Sequence, residues 1–221
     1  MTDYTGRVTV GGLHGRPTPL PALTIVKLAV GRLSNNVYLL RCTASGEGLL
    51  IDAADEAPRI RELVTFEGPP ISAILTTHRH PDHWQALATI ADEAGAAIYA
   101  GDADADDIAC RRRRAPPAWR HHHRRRPDLD VIALRGHTPG SVAVAVSRPG
   151  GCPAAVHRRQ LVPGGVGKTT TPADFQSLID DVEQRIFDVL PDETWVYPGH
   201  GDDTTLGVER PHLGEWRARG W

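Results

Sequence analysis

Cysteine is scarce in this 221-residue chain: Cys42, Cys110 and Cys152 are an odd number, without metal or redox spacing. That excludes a disulfide framework and points to a reducing compartment. Long apolar runs are missing too. The best stretch, Leu20 to Val30, is short and interrupted by Pro21 and Lys27, so it reads as a strand. No charged N-terminal region leads into an apolar run, so neither a transmembrane segment nor a signal peptide is expected, and the default location is cytoplasmic. Net charge is also lacking, at −2. No global field favours nucleic acid or membrane, and the partner expected is a small-molecule substrate.

What is present suits a globular protein. Hydrophobic residues make up 40% of the chain, enough for one domain over residues 1–221 with a real core. Leu23 to Val30, Val37 to Arg41 and Gly48 to Asp52 read as strands, with Ser34-Asn35-Asn36 and Ser45-Gly46 as turns. Pro58 to Val64 reads as a helix, and Ile71 to Thr76 as a strand that stops just before His78. The next helix buries Leu87, Ile90, Ala91 and Ala94 and ends at Gly95. Strands follow at Ala97 to Ala100, Val131 to Leu134 and Ser141 to Ser147. Thr171-Pro172-Ala173-Asp174 caps a helix that buries Phe175, Leu178, Ile179, Val182 and Ile186, and Thr194 to Tyr197 is the last strand. Strands alternating with helices imply an α/β architecture.

The densest chemistry is His78-Arg79-His80-Pro81-Asp82-His83. Buried imidazoles and carboxylates are costly unless each polar group finds a partner. They make sense around a cation, because these are ligands that zinc accepts. His78 and His80 alternate like strand residues and can share one ion; Asp82 and His83, on the following turn, can face another. Two further histidines sit in similar settings. His137 lies in Gly136-His137-Thr138-Pro139-Gly140-Ser141 and His200 in Tyr197-Pro198-Gly199-His200-Gly201. Each follows an apolar strand and is bracketed by glycines that let backbone approach a site closely.

These motifs, with SNNVYLL and LLIDAA upstream, make the chain resemble the metallo-β-lactamase superfamily, and its glyoxalase-II-like branch in particular. The resemblance implies a four-layer αββα sandwich with the site at one edge of two packed sheets. It implies that His78, His80 and His137 hold one zinc and that Asp82, His83 and His200 hold a second. It further implies a zinc-dependent hydrolase that attacks an ester-like carbonyl, above all a thioester, through a metal-bound hydroxide. The sequence ends at Trp221 without the C-terminal helical region of hydroxyacylglutathione hydrolases, which argues against glutathione as the thiol carrier. A mononuclear-iron sulfur dioxygenase on the same fold, using His78, His137 and a carboxylate, is the rival of another class. A metal-impaired, non-catalytic relic is the third reading.

The relic reading rests on one position. The resemblance places a metal-bridging aspartate four residues before Pro163, where Arg159 stands. A guanidinium has no acceptor and carries a fixed positive charge, so Arg159 cannot ligate zinc. The chain as written is therefore expected to hold one zinc, and two if the aspartate is restored. The genetic code suggests a cause. Reading Val156 to Gln160 one nucleotide late, with arginines as CGN codons, allows FTGDS, and aspartate falls at position 159. The same shift over Trp119 to Arg126 allows GDTITVGD, an ordinary strand pair. Both arginine-rich stretches thus read as out-of-frame family sequence, which removes the runs Arg111 to Arg114 and Arg124 to Arg126 from any functional role.

Other features read as structural. Gly164-Gly165-Val166-Gly167-Lys168-Thr169 approaches a phosphate-binding loop, but that motif needs glycine at position 162, where Val162 stands. A glycine-rich loop near the metal cleft fits better. His121-His122-His123 sits among arginines that repel a cation. His14, His157 and His212 read as solvated or satisfied, and Trp195, Trp216 and Trp221 as packing residues. Trp84 is divided between lining the cleft and packing in the core.

Overall fold

The computed structural model describes residues 5–12, 14–15, 20, 23–108, 113–114, 118–119, 128–147, 153–158 and 161–220. The first six-stranded sheet runs β1 (Leu23–Val30), β2 (Asn35–Cys42), β3 (Gly48–Ile51), β4 (Ala73–Thr76), β5 (Ala97–Ala100) and β6 (Arg113–Arg114), in that order. The first three strands pair antiparallel; β3, β4, β5 and β6 are parallel. Along the chain there follow β7 (Ala118–Trp119), β8 (Asp128–Ala133), β9 (Val142–Ser147) and β10 (Pro153–Arg158). A small hairpin, β11 (Leu161–Val162) and β12 (Gly165–Val166), precedes β13 (Trp195–Pro198) and β14 (Thr204–Thr205). The second sheet has the order β14-β13-β10-β9-β8-β7.

Three apolar clusters define four layers. Between the sheets lie Ile25, Tyr38, Leu40, Ile51 and Leu75 from one side and Leu129, Val142, Val144, Val146 and Tyr197 from the other. The outer face of the first sheet packs on α1 (Ala57–Phe66) and α2 (Leu87–Ala94) through Leu39, Leu50, Ile60, Leu63, Ile74 and Ile90. The outer face of the second packs on α3 (Pro172–Val182) and the C-terminal α5 (Leu213–Arg219), which follows the short α4 (Leu206–Glu209), through Ala143, Phe175, Leu178, Val182, Val196 and Trp216. This is the αββα sandwich that the sequence motifs imply. No helix among the described residues is long and apolar enough to cross a membrane.

Several local expectations hold for physical reasons that can be named. The Thr171 side chain accepts from the Asp174 N–H, and Pro172 occupies the first turn. Gly95 closes α2 in the left-handed region. Others need correction. Asn35 and Asn36 open β2 rather than forming a turn, because their side chains have partners across the fold. His78 and His80 lie beyond β4 in a loop, not in strand alternation. Ala94 is only partly buried. The strand expected from Val131 begins at Asp128. β10 was not expected at all: its written sequence, Pro-Ala-Ala-Val-His-Arg, carries no strand periodicity, yet its backbone is paired on both sides.

Candidate metal centre

Every candidate ligand sits where a strand has just ended. β4 stops at Thr76, and the chain turns through His78 and His80 into a short 3-10 turn, Pro81–His83. β8 stops at Ala133, and its connection to β9 carries His137. β13 stops at Pro198 and delivers His200. Gly136 has φ 122°, and a Cβ there would lie 2.2 Å from the Asp174 carbonyl oxygen, so only glycine lets this loop press against α3.

The six residues gather into two groups, His78, His80 and His137, and Asp82, His83 and His200; within each group the ligand atoms lie within 4.8 Å of one another. The groups adjoin, since the His78 and His83 rings are 4.7 Å apart. The His80 and His137 rings, from different sheets, are 4.7 Å apart as well. Nδ1 is engaged on His78 with Thr77 Oγ1 (3.0 Å), on His83 with Asp52 Oδ2 (2.8 Å), on His137 with the Lys168 carbonyl (2.6 Å) and on His200 with the Leu33 carbonyl (2.9 Å). A histidine whose Nδ1–H donates to such a partner is fixed in the tautomer that offers the Nε2 lone pair to a cation. The donor set, nitrogen with a carboxylate oxygen, is that of a zinc or iron site. The residues fit a divalent cation.

Asp52 is the residue that the sequence did not single out. It is fully buried at the end of β3, with φ 57°, a left-handed conformation that aspartate tolerates better than most residues. That turn aims its carboxylate at the Thr77 N–H (2.7 Å), the Thr77 hydroxyl (2.8 Å) and His83. Asn35 is the second. Its Nδ2 donates to the Asp82 carbonyl (3.0 Å) and to Asp82 Oδ2 (2.8 Å), and lies 2.7 Å from His83 Nε2. Both lie in LLIDAA and SNNVYLL, stretches that help carry the resemblance, where the residues themselves read as strand and turn.

The loop of His200 is gripped from β1 and β2. The Asn36 amide donates to the Pro198 and Gly201 carbonyls, and the Tyr38 hydroxyl to Pro198. The fully buried Lys27 ammonium donates to Gly201 O (2.8 Å), Gly6 O (3.0 Å) and Asp203 Oδ1 (2.6 Å). Burial pulls the Lys27 pKa below its ordinary value, with Asp203 opposing. Burial beside the same carboxylate pushes the Tyr197 phenol upward.

The remaining sequence candidates fall as follows. Arg159, His121 to His123, Cys110, Cys152 and Trp221 lie outside the described residues. Lys168 touches the site through its carbonyl, placing the glycine-rich loop beside it. No helix follows that loop before Pro172, so the phosphate-loop context is missing. Trp84 packs against the first core and donates its indole N–H to the Arg79 carbonyl. His14 pairs with Glu67 and His212 with Glu215, both away from the centre.

The chain is similar over most of its length to proteins already known. A probable metallo-hydrolase of Bacillus subtilis, YqgX, is 25% identical over 83% of this chain and 93% of its own length. The hydroxyacylglutathione hydrolase of Fuscovulum blasticum is 31% identical over 75% of this chain, which spans only 62% of that enzyme. A shorter match, 52% identical over 27% of this chain, spans 58% of an uncharacterized Rhodococcus erythropolis protein. Among solved structures, TTHA1623 in a di-iron-bound form shares 30% identity and a TM-score of 0.67, covering 83% of this chain and 96% of that one. The model of the metallo-beta-lactamase superfamily matches residues 30–205, a span that contains all six candidate ligands. On that match and on the sandwich described above, the chain belongs to the metallo-beta-lactamase superfamily.

Proposed function

We propose that this chain is a metal-dependent hydrolase, holding zinc, that cleaves an ester-like carbonyl, with thioesters the first substrate class. The observation that carries the reading is the pair of adjoining donor groups at one sheet edge. A divalent cation bound there would acidify a water molecule and polarise a carbonyl oxygen. The protein supplies orientation. His78, His80 and His137 present nitrogen from two sheets. Asp82 Oδ2, held by Asn35, lies 3.1 Å from His83 Nε2 and 3.7 Å from His200 Nε2, where it can accept a proton from an attacking water. Asp52 keeps His83 in one tautomer. Relatives named as hydroxyacylglutathione hydrolases favour a thioester over an amide.

The test is metal analysis of protein purified without added metal, followed by hydrolysis assays of the zinc-loaded chain. The panel varies the acyl group and the thiol carrier separately, includes glutathione thioesters, and adds lactones. Zinc with thioester turnover supports the proposal. One iron per chain with consumption of oxygen and a persulfide would replace it by a dioxygenase. A folded chain that binds no metal would leave a non-catalytic relic.

A further inference from the structure

β5 ends at Ala100, and the turn that follows buries a carboxylate that the proposed chemistry does not use. Asp104 has no exposed surface. Its Oδ2 accepts from the Arg79 backbone N–H (3.0 Å) and from the Thr138 hydroxyl; its Oδ1 accepts from the Gly140 N–H (2.8 Å). The Arg79 guanidinium stands 4.0 Å away, itself bonded to Asp107. Arg79 lies between His78 and His80, and Thr138 follows His137. One carboxylate therefore grips both loops that bring the first group of histidines together, although it touches none of their rings. The fit is tight: a Cβ on Gly140 would lie 2.3 Å from the Asp104 nitrogen. The Thr138 hydroxyl is in turn 2.6 Å from Ser141 Oγ.

We infer that Asp104 is a positioning residue that sets the separation of His78 and His80 from His137, and with it the metal affinity of that group. This rests on the metal reading above. The chemistry makes the claim specific. Three donors face two acceptor oxygens, so asparagine cannot replace the carboxylate cleanly. Whichever way its amide is turned, an NH2 meets either the Gly140 N–H or the Arg79 N–H and Thr138 hydroxyl. The separation of the two loops must then widen. Partners that orient a ligand from behind are worth 10–100-fold in metal affinity.

Asp104→Asn and the milder Thr138→Val test this in full-length protein carrying His200→Ala, which leaves the first group intact and weakens the second. Cobalt(II) is titrated and followed by its visible absorption, with thermal unfolding of the metal-free proteins alongside. Asp104→Asn should lose roughly 10–100-fold in affinity, with an altered spectrum, and Thr138→Val a smaller part of the same loss. Should Asp104→Asn not fold, Thr138→Val alone decides. Affinity and spectrum equal to the parent, whatever happens to the unfolding temperature, would overturn the positioning role while leaving the metal reading intact. A parent that binds no cobalt would overturn both.

Discussion

At Asp82 the side chain is partly exposed on a 3-10 turn, so it contributes to the site more than to the core. Asp82→Ala should therefore lower hydrolysis at least about 100-fold, in the range of a lost general base, with little change in unfolding temperature. Turnover assays and calorimetry on one preparation check both halves. Asp52 presents the opposite balance. It is buried and holds His83 directly and His78 through the Thr77 hydroxyl, so Asp52→Asn should weaken zinc binding by roughly 10–100-fold. Isothermal titration with zinc measures the loss. The ligands themselves were legible, because clustered histidines in a strand-end loop have few other uses. Asp52, Asn35 and Asp104 were not. A lone aspartate at a strand end looks alike whether it caps, solvates or orients, and only the fold brings it to its partner.

Elements differ in how much of them the sequence showed. β1 through β5, α2 and α3 could be read from short apolar runs, the capping threonine and the glycine stop, since the strands are buried on both faces and each helix buries one. β10 could not, because its register is imposed by β9 and β13 rather than by its own side-chain pattern. Lys27 was noticed only as an interruption of an apolar stretch. In the fold it ties β1 to the His200 loop through a buried pair with Asp203. Lys27→Met leaves the Asp203 carboxylate buried without its cation, with the Trp195 indole N–H donating to Oδ2 at 3.2 Å. That change should cost about 3–5 kcal/mol, and the double change Lys27→Met with Asp203→Leu much less, because no stranded charge remains. Urea unfolding of the three chains measures it; a double variant as unstable as the single one would show that the ammonium acts by packing alone.

Across the whole molecule, each donor group draws on both sheets. The first takes His78 and His80 from the loop after β4 and His137 from the loop after β8; the second takes Asp82 and His83 from the β4 loop and His200 from the β13 loop. Metal bound at either should stabilise the sandwich by linkage, and a chelator should lower its unfolding temperature. Arg158 is paired with Pro198, two residues before His200, so the chain leaves β10 beside the second group. The next position, Arg159, lies outside the described residues, and chemistry alone carries the argument there. With position 159 facing the centre, as the resemblance implies, arginine would offer no lone pair and add positive charge there, whereas aspartate could ligate a cation and offset part of its charge. The chain as written should therefore take up about one zinc per molecule, and Arg159→Asp about two, with a clear gain in thioester turnover. We propose a slipped reading frame as the origin of the arginine at position 159. Resequencing the gene through codons 119–126 and 156–160 tests that directly, and plasma emission analysis counts the zinc. If the DNA supports the written frame and that chain binds two zincs with full activity, a bridging carboxylate at position 159 is unnecessary, and a second zinc held by Asp82, His83 and His200 alone becomes the working site.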